Sequence, residues 1–160
     1  MFDEFKELLS IFNARSVRYL VVGGYAVSYH AQPRSTQDMD ILIASDPENA
    51  KAVFAALRDF GAPLENLTPE DFLQRGKFFR MGRAPLAVDI LVDIDGIRFE
   101  QAWANRVEAT IDQDTQLKAF FISMDDLITN KIASGRPQDV ADAAALRKAK
   151  GTGDFQEGNE

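Results

Sequence analysis

Cysteine is absent from this chain of 160 residues, so disulfides and thiolate metal sites are excluded. Histidine occurs once, at His30, which removes any zinc centre built on two or three imidazoles. A metal in this protein must be held by oxygen, and oxygen donors suit magnesium or manganese. Long apolar runs are missing too: no stretch approaches the ~20 residues needed to cross a bilayer. The N-terminal run from Met1 to Leu9 is acidic and amphipathic, which is not the pattern of a secretory signal. The expectation is a cytoplasmic protein with no membrane partner. Positive charge is in deficit, with 18 Lys and Arg against 25 Asp and Glu, a net charge of −7. That disfavours an extensive nucleic-acid surface while leaving room for a local basic pocket.

What is present is ordinary for a globular domain, with 46% hydrophobic and 27% charged residues. The length suits one domain over residues 1–150 with a sizeable core. Residues 151–160 are Gly-rich, polar and acidic and are expected to be a disordered tail. Phe2, Phe5, Leu8, Leu9 and Phe12 recur at helical spacing, predicting an amphipathic helix over 2–13. Its apolar face can cover its own domain or a second copy. Residues 18–22 read as a buried strand that runs into Gly23-Gly24, after which 25–31 can begin a helix. Residues 39–43 read as a second strand. Asp46-Pro47 is an N-cap followed by Pro at the first helical position, and Gly61 ends that helix. Thr68-Pro69 starts a shorter helix. Strands follow at 77–81 and, most clearly, 86–94, with Asp95-Gly96 as a turn. A strand near 119–122 leads to Ser123, an N-cap with Asp126 three residues on, and a helix to Ser134. Gly135-Arg136-Pro137 breaks the chain before a last helix over 138–149. The expected fold class is α/β (α+β): a mixed sheet of four or five strands flanked by helices, with a C-terminal helix pair.

Three aspartates interrupt this apolar pattern. Asp38 and Asp40 are two residues apart at the start of a strand, so both carboxylates face the same side. Two bare charges ~4 Å apart repel by ~1–4 kcal/mol, and a divalent cation between them turns that repulsion into binding. Asp89 interrupts the apolar strand, with Ala87 and Leu91 as neighbours on its face. A carboxylate there needs a metal, a proton or a cation as partner. The bland alternative for Asp38/Asp40 is a solvated pair at a strand edge. Asp93/Asp95 and Asp112/Asp114 have the same spacing and read as turn residues.

Gly23-Gly24 follows a strand and opens a helix. It serves either as a phosphate cradle at a helix N-terminus or as a plain tight turn. It matches neither the dinucleotide fingerprint nor the Walker pattern. Arg34 lies four residues before Asp38, for phosphate neutralisation or a salt bridge to one of those aspartates. Thr36 either donates to phosphate or caps the approach to the strand. His30 reads as structural. Met124, Leu127, Ile128 and Ile132 form an apolar helix face, with Lys131 on or beside it. Lys131 either snorkels outward or reaches into a cleft. Arg136 in the following break is placed to help. Asp139 reads as a helix cap, and Asp142 either pairs with Lys131 or Arg136 or is solvated.

Taken together, Leu20 to Val27, Arg34 to Ile43 and Val88 to Leu91 resemble the nucleotidyltransferase superfamily, the DNA polymerase beta-like fold. They look most like its small bacterial branch related to abortive-infection toxin nucleotidyltransferases. Leu127 to Lys131 and Arg136 to Asp142 fit as well. The resemblance implies two magnesium (or manganese) ions held by Asp38 and Asp40, one of them also by Asp89, with Asp89 as base for an acceptor hydroxyl. It also implies triphosphate contacts from Gly23 and Gly24, with Lys131 and Arg136 supporting them; Arg34 and Thr36 are further nucleotide-binding candidates by position, and Asp142 a supporting one. Many members carry Gly-Ser at this turn, so Gly24 removes a phosphate-binding hydroxyl for which Thr36 is a candidate replacement. The implied reaction is transfer of an NMP from an NTP to an acceptor hydroxyl on a protein, a tRNA end or a small molecule. The alternative is a binding or regulatory protein of this fold with little catalysis, acting with a toxin–antitoxin partner.

Overall fold

A computed structural model of the protein describes residues 1–82 and 86–157, with side chains in 1–82 and 86–152. Six strands form one mixed sheet: β1 (Tyr19–Val22), β2 (Asp38–Ile43), β3 (Phe78–Met81), β4 (Ala87–Leu91), β5 (Val107–Asp112) and β6 (Leu117–Phe121). Their spatial order is β3-β4-β2-β1-β6-β5. β2 runs parallel to β4 and β1 parallel to β6, while the remaining pairs are antiparallel. The all-apolar β1 is buried along its whole length, as a central strand covered on both faces must be.

Two helical layers cover the sheet. In one, α1 (Asp3–Ala14) packs on α3 (Pro47–Phe60), which packs on a 3-10 turn at Pro69–Leu73. In the other, α2 (Gly23–His30) packs against α5 (Met124–Ser134) and α6 (Pro137–Glu157). The helix ends follow the expected chemistry. Asp46 accepts from the Asn49 N–H at 2.8 Å, Ser123 from the Asp126 N–H at 3.2 Å, and Gly61 and Gly135 take left-handed conformations. The face of α1 is spent on its own domain: Phe5, Leu8, Leu9 and Phe12 are all buried, while Phe2 stays exposed as the N-cap.

The sheet exceeds the expected four or five strands because β5 was not anticipated, nor was α4 (Phe99–Ala104) before it. β5 turns Val107, Ala109 and Ile111 to the core and alternates them with Glu108, Thr110 and Asp112. It exists through its antiparallel hairpin with β6, whose turn is closed by Asp112 accepting from the Asp114 N–H and the Thr115 hydroxyl. The strand at 86–94 is shorter than predicted: β4 stops at Leu91, and Asp93 instead accepts from the Gly76 N–H at 3.0 Å. The last helix runs past the expected 149 to Glu157, with the Thr152 hydroxyl donating to the Lys148 carbonyl. Gly151 and Thr152 are exposed, and residues 158–160 of the expected tail lie outside the described residues.

Candidate active site

The strand register builds the site. Asp40 on β2 lies beside Val22 of β1 on one side and beside Asp89 of β4 on the other. Asp89 in turn lies beside Arg80 of β3. Arg80, Asp89, Asp40 and Val22 therefore form one row across four strands. Asp38, two residues before Asp40, shares the face and pairs with Ala87. Immediately after Val22 the chain turns through Gly23 at φ +64° into α2. A Cβ at Gly23 would collide with Asp40 Oδ2, so only glycine lets the helix start this close to the carboxylate.

The three carboxylates differ in their surroundings. Asp38 is half-exposed (50%), whereas Asp89 is 14% exposed and its Oδ1 is buried without a hydrogen-bond partner. Burial, the neighbouring Asp89 and Asp38 charges, and a hydrogen bond to Asp89 push the Asp40 carboxyl up to about 6. Ionised, Asp40 and Asp89 only repel each other; a proton on Asp40 turns the contact into a hydrogen bond. Arg80 supplies the cation, with Nη2 3.2 Å from Asp38 Oδ2 and Nη1 3.3 Å from Asp89 Oδ2.

A second cluster stands across the Gly23 turn, on α5 and α6. Lys131 Nζ is 3.4 Å from Asp139 Oδ1 and 3.2 Å from Asp142 Oδ2, with all three side chains at least 91% buried. Asp142 also accepts from Arg34 at 2.8 Å and from Gln138 at 3.0 Å. Asp139 accepts from the Arg136 side chain at 2.7 Å and, capping α6, from its backbone N–H at 3.3 Å. Burial works against both carboxylates being charged, yet these donors hold both below the usual carboxylate range.

Every candidate residue thus falls at or beside one locus, though some partners differ from expectation. Arg34 pairs with Asp142 rather than with Asp38 or Asp40. Lys131 points inward to two carboxylates instead of snorkelling. Asp139 does more than cap: it anchors both Lys131 and Arg136. Thr36 packs over Gly24, where an added Cβ would lie 2.9 Å from Thr36 Cγ2 and 3.2 Å from its Oγ1. His30 is structural, its Nε2 2.7 Å from the Ile122 carbonyl oxygen. Sequence reasoning missed Arg80, since its side of an edge strand reads as solvent-facing. Two open clefts flank the carboxylates. One of about 410 Å³ includes Gly23, Asp40, Asn130, Lys131 and Arg136, and one of about 680 Å³ includes Arg34, Thr36, Asp38 and Gln138.

The donor set fits a hard divalent cation. Asp89 Oδ1 lacks a partner, Asp40 is destabilised as an anion, and all the donors are carboxylate oxygens. No three or more acidic or imidazole side chains among the described residues are, as they stand, placed to hold a metal ion together, and Arg80 lies against two of the three carboxylates.

Similar proteins have been solved. The fold matches a lincosamide antibiotic adenylyltransferase, LnuA, determined with lincomycin bound, at 19% identity and a TM-score of 0.58, covering 93% of this chain and 98% of that one. It matches ANT(2")-Ia in complex with adenylyl-2"-tobramycin at 13% identity and a TM-score of 0.60, covering 95% and 90%. A nucleotidyltransferase-like protein from Paracoccidioides brasiliensis matches at 17% identity and a TM-score of 0.52, covering 90% and 75%. No curated protein matches the sequence. Residues 1–147 match the family described as "Nucleotidyltransferase of unknown function (DUF6036)", so the chain belongs to this nucleotidyltransferase family.

Proposed function

We propose that the protein transfers an NMP from an NTP to the hydroxyl of a small-molecule acceptor, with a divalent ion held at Asp38, Asp40 and Asp89. The observation that carries this reading is the carboxylate row set against the Gly23 turn: phosphate-approaching backbone and ion-binding oxygens meet at one point. The completeness of that row favours catalysis over a binding-only role. The α2 N-terminus and the Gly23 and Gly24 backbone receive the triphosphate. Arg136 and Arg34 lend positive charge beside it, with Thr36 offering a hydroxyl. Lys131 is committed to Asp139 and Asp142, so it supports the cleft wall rather than grasping the ligand.

When bound, magnesium or manganese neutralises charge developing on the attacking and leaving oxygens. Asp38 and Asp40 hold it, and Asp89 serves both as ligand and as acceptor of the hydroxyl proton. Three features support a small acceptor. The net charge of −7 repels a polyanion, the clefts measure a few hundred Å³, and two similar structures carry antibiotic-sized molecules. The cytoplasm, where NTP is plentiful, is the proposed location.

The test is incubation of the protein with each α-labelled NTP, magnesium and a panel of hydroxyl-bearing small molecules. Label transferred to the acceptor, and pyrophosphate release by a coupled assay, are followed in wild type and in Asp38→Asn/Asp40→Asn. Metal-dependent release that the variant loses is the expected result. Equal release by both proteins would sink the assignment.

A further inference from the structure

Arg80 is bound to the carboxylate row by position as well as by charge. The β3–β4 register sets it directly opposite Asp89, and its two terminal nitrogens reach Asp89 and Asp38 at 3.3 and 3.2 Å. One planar guanidinium thus spans two carboxylates on neighbouring strands, a task its rigid fork suits and a lysine does not. The other cations near the site are engaged elsewhere. Lys131 is held by Asp139 and Asp142, Arg136 by Asp139 and Arg34 by Asp142. Among the described residues, the ion pairs made by Asp38 and Asp89 are those with Arg80.

We propose that Arg80 is a displaceable internal counter-ion. It neutralises Asp38 and Asp89 while the site is empty, and it surrenders both contacts when a divalent ion binds. The inference rests on the reading of the row as an ion site. A magnesium ion needs carboxylate oxygens at about 2.0–2.1 Å, and the oxygens it needs are those Arg80 now faces. The same oxygens cannot serve both cations. Arg80 is able to leave because it lies half-exposed on the outermost strand of the sheet, so its guanidinium moves into water. Lys131 has no such exit, since its departure would strand two buried carboxylates. Arg80 is therefore a positioning residue. It holds Asp38 and Asp89 in place across the strands, and its competition sets the affinity of the site for the ion.

The experiment is a Mn²⁺ titration of the full chain without nucleotide, with free Mn²⁺ read by electron paramagnetic resonance. Wild type, Arg80→Gln, Arg80→Lys and Asp38→Asn/Asp40→Asn are compared, each first shown to be folded by thermal melting. Wild type binds, and the double variant does not. Arg80→Gln binds about two- to thirtyfold more tightly, because two partly exposed ion pairs no longer compete. Arg80→Lys, a point charge unable to span both carboxylates, falls between them. The gap narrows as salt is raised. If Arg80→Gln binds Mn²⁺ no more tightly than wild type while the double variant loses binding, the counter-ion role is overturned and the ion site stands. If folded wild type binds no Mn²⁺, the ion site itself falls, and the role of Arg80 with it. Should Arg80→Gln fail to fold, Arg80→Lys decides alone: tighter binding than wild type supports the proposal, and equal or weaker binding overturns it.

Discussion

Two carboxylate clusters face each other across the Gly23 turn, and they are compensated to different degrees. On α5 and α6, Asp139 and Asp142 are almost wholly buried, yet each faces cations: Lys131 serves both, Arg136 and Arg34 one each, although Asp142 Oδ2, 3.2 Å from Lys131 Nζ, makes no hydrogen bond. Both carboxyls lie below their ordinary range as a result. On the sheet, Asp38 and Asp89 share a single half-exposed arginine, Asp89 keeps a buried oxygen without a partner, and Asp40, which that arginine does not reach, is pushed up to about 6. Folding alone gives no reason to retain the second arrangement, since like charges on adjacent strands destabilise a sheet. The first cluster is paired as a scaffold must be. The second has a deficit of positive charge that a ligand can fill. Perturbed carboxyls concentrate at functional sites for this reason.

Substitution separates the two clusters most sharply. Asp40→Asn or Asp89→Asn keeps the shape and removes the charge. Turnover is expected to fall about 10³-fold, while stability at neutral pH holds or rises, by about 1–3 kcal/mol for Asp40→Asn, as the buried charge and its repulsion are removed. Lys131→Met is expected to do the reverse in its primary effect. It strands Asp139 and Asp142 and costs about 3–5 kcal/mol of folding free energy. Urea denaturation beside steady-state rates reads both. A stable, inactive Lys131→Met protein together with an unfolded Asp89→Asn protein would invert the comparison.

The pH dependence of stability, measured with chelator present, should have opposite slopes for the two clusters. The folded pKa of Asp40 lies above its unfolded value, so its contribution is fully present below about pH 4 and is lost as pH rises through about 6. Asp139 and Asp142 are depressed, so theirs is present above the unfolded value and lost as pH falls through the folded one. Asp40→Asn should remove a decline of about 1–3 kcal/mol between pH 4 and 7 and leave the acid limb untouched. A decline that persists in Asp40→Asn would assign it to another group.

The carboxylate row was largely legible before folding. A charge in an otherwise apolar strand, and two charges one pleat apart, stand out against strand periodicity, and the Gly-Gly step marks where the chain must come close. The expected roles of Arg34 and Asp139 were incomplete because their partners are set by tertiary packing: Arg34 and Asp142 are 108 positions apart in the chain. Arg80 was not legible at all. In Phe-Phe-Arg-Met its charge satisfies the alternation of an edge strand, and only the register with β4 places it on Asp89. β5 was legible but unread: Val107, Ala109 and Ile111 alternate with Glu108, Thr110 and Asp112, the period of a half-buried strand, in a stretch too short to stand out without its partner β6.

The smallest effect expected concerns Gly24, and it tests whether the glycine turn belongs to the site or only to the fold. An added Cβ there meets Thr36 Cγ2 at 2.9 Å, Thr36 Oγ1 at 3.2 Å and Arg34 Nη2 at 3.4 Å. Gly24 has no positive φ, so alanine is conformationally allowed. Crowding of about 1 kcal/mol is offset by a gain of similar size in helix propensity, and stability should scarcely change. The cost should appear in ligand binding, because Thr36 and Arg34 must shift to admit the methyl group. Thr36→Ser deletes the Cγ2 that collides and keeps the hydroxyl. Gly24→Ala is therefore expected to weaken NTP binding a few-fold and Gly24→Ala/Thr36→Ser to recover it. The two changes should couple by at least about 0.5 kcal/mol in a double-mutant cycle. Calorimetric titration with each NTP measures this. Strict additivity would mean that Gly24 and Thr36 act apart, and that the missing side chain at Gly24 serves the start of α2 alone.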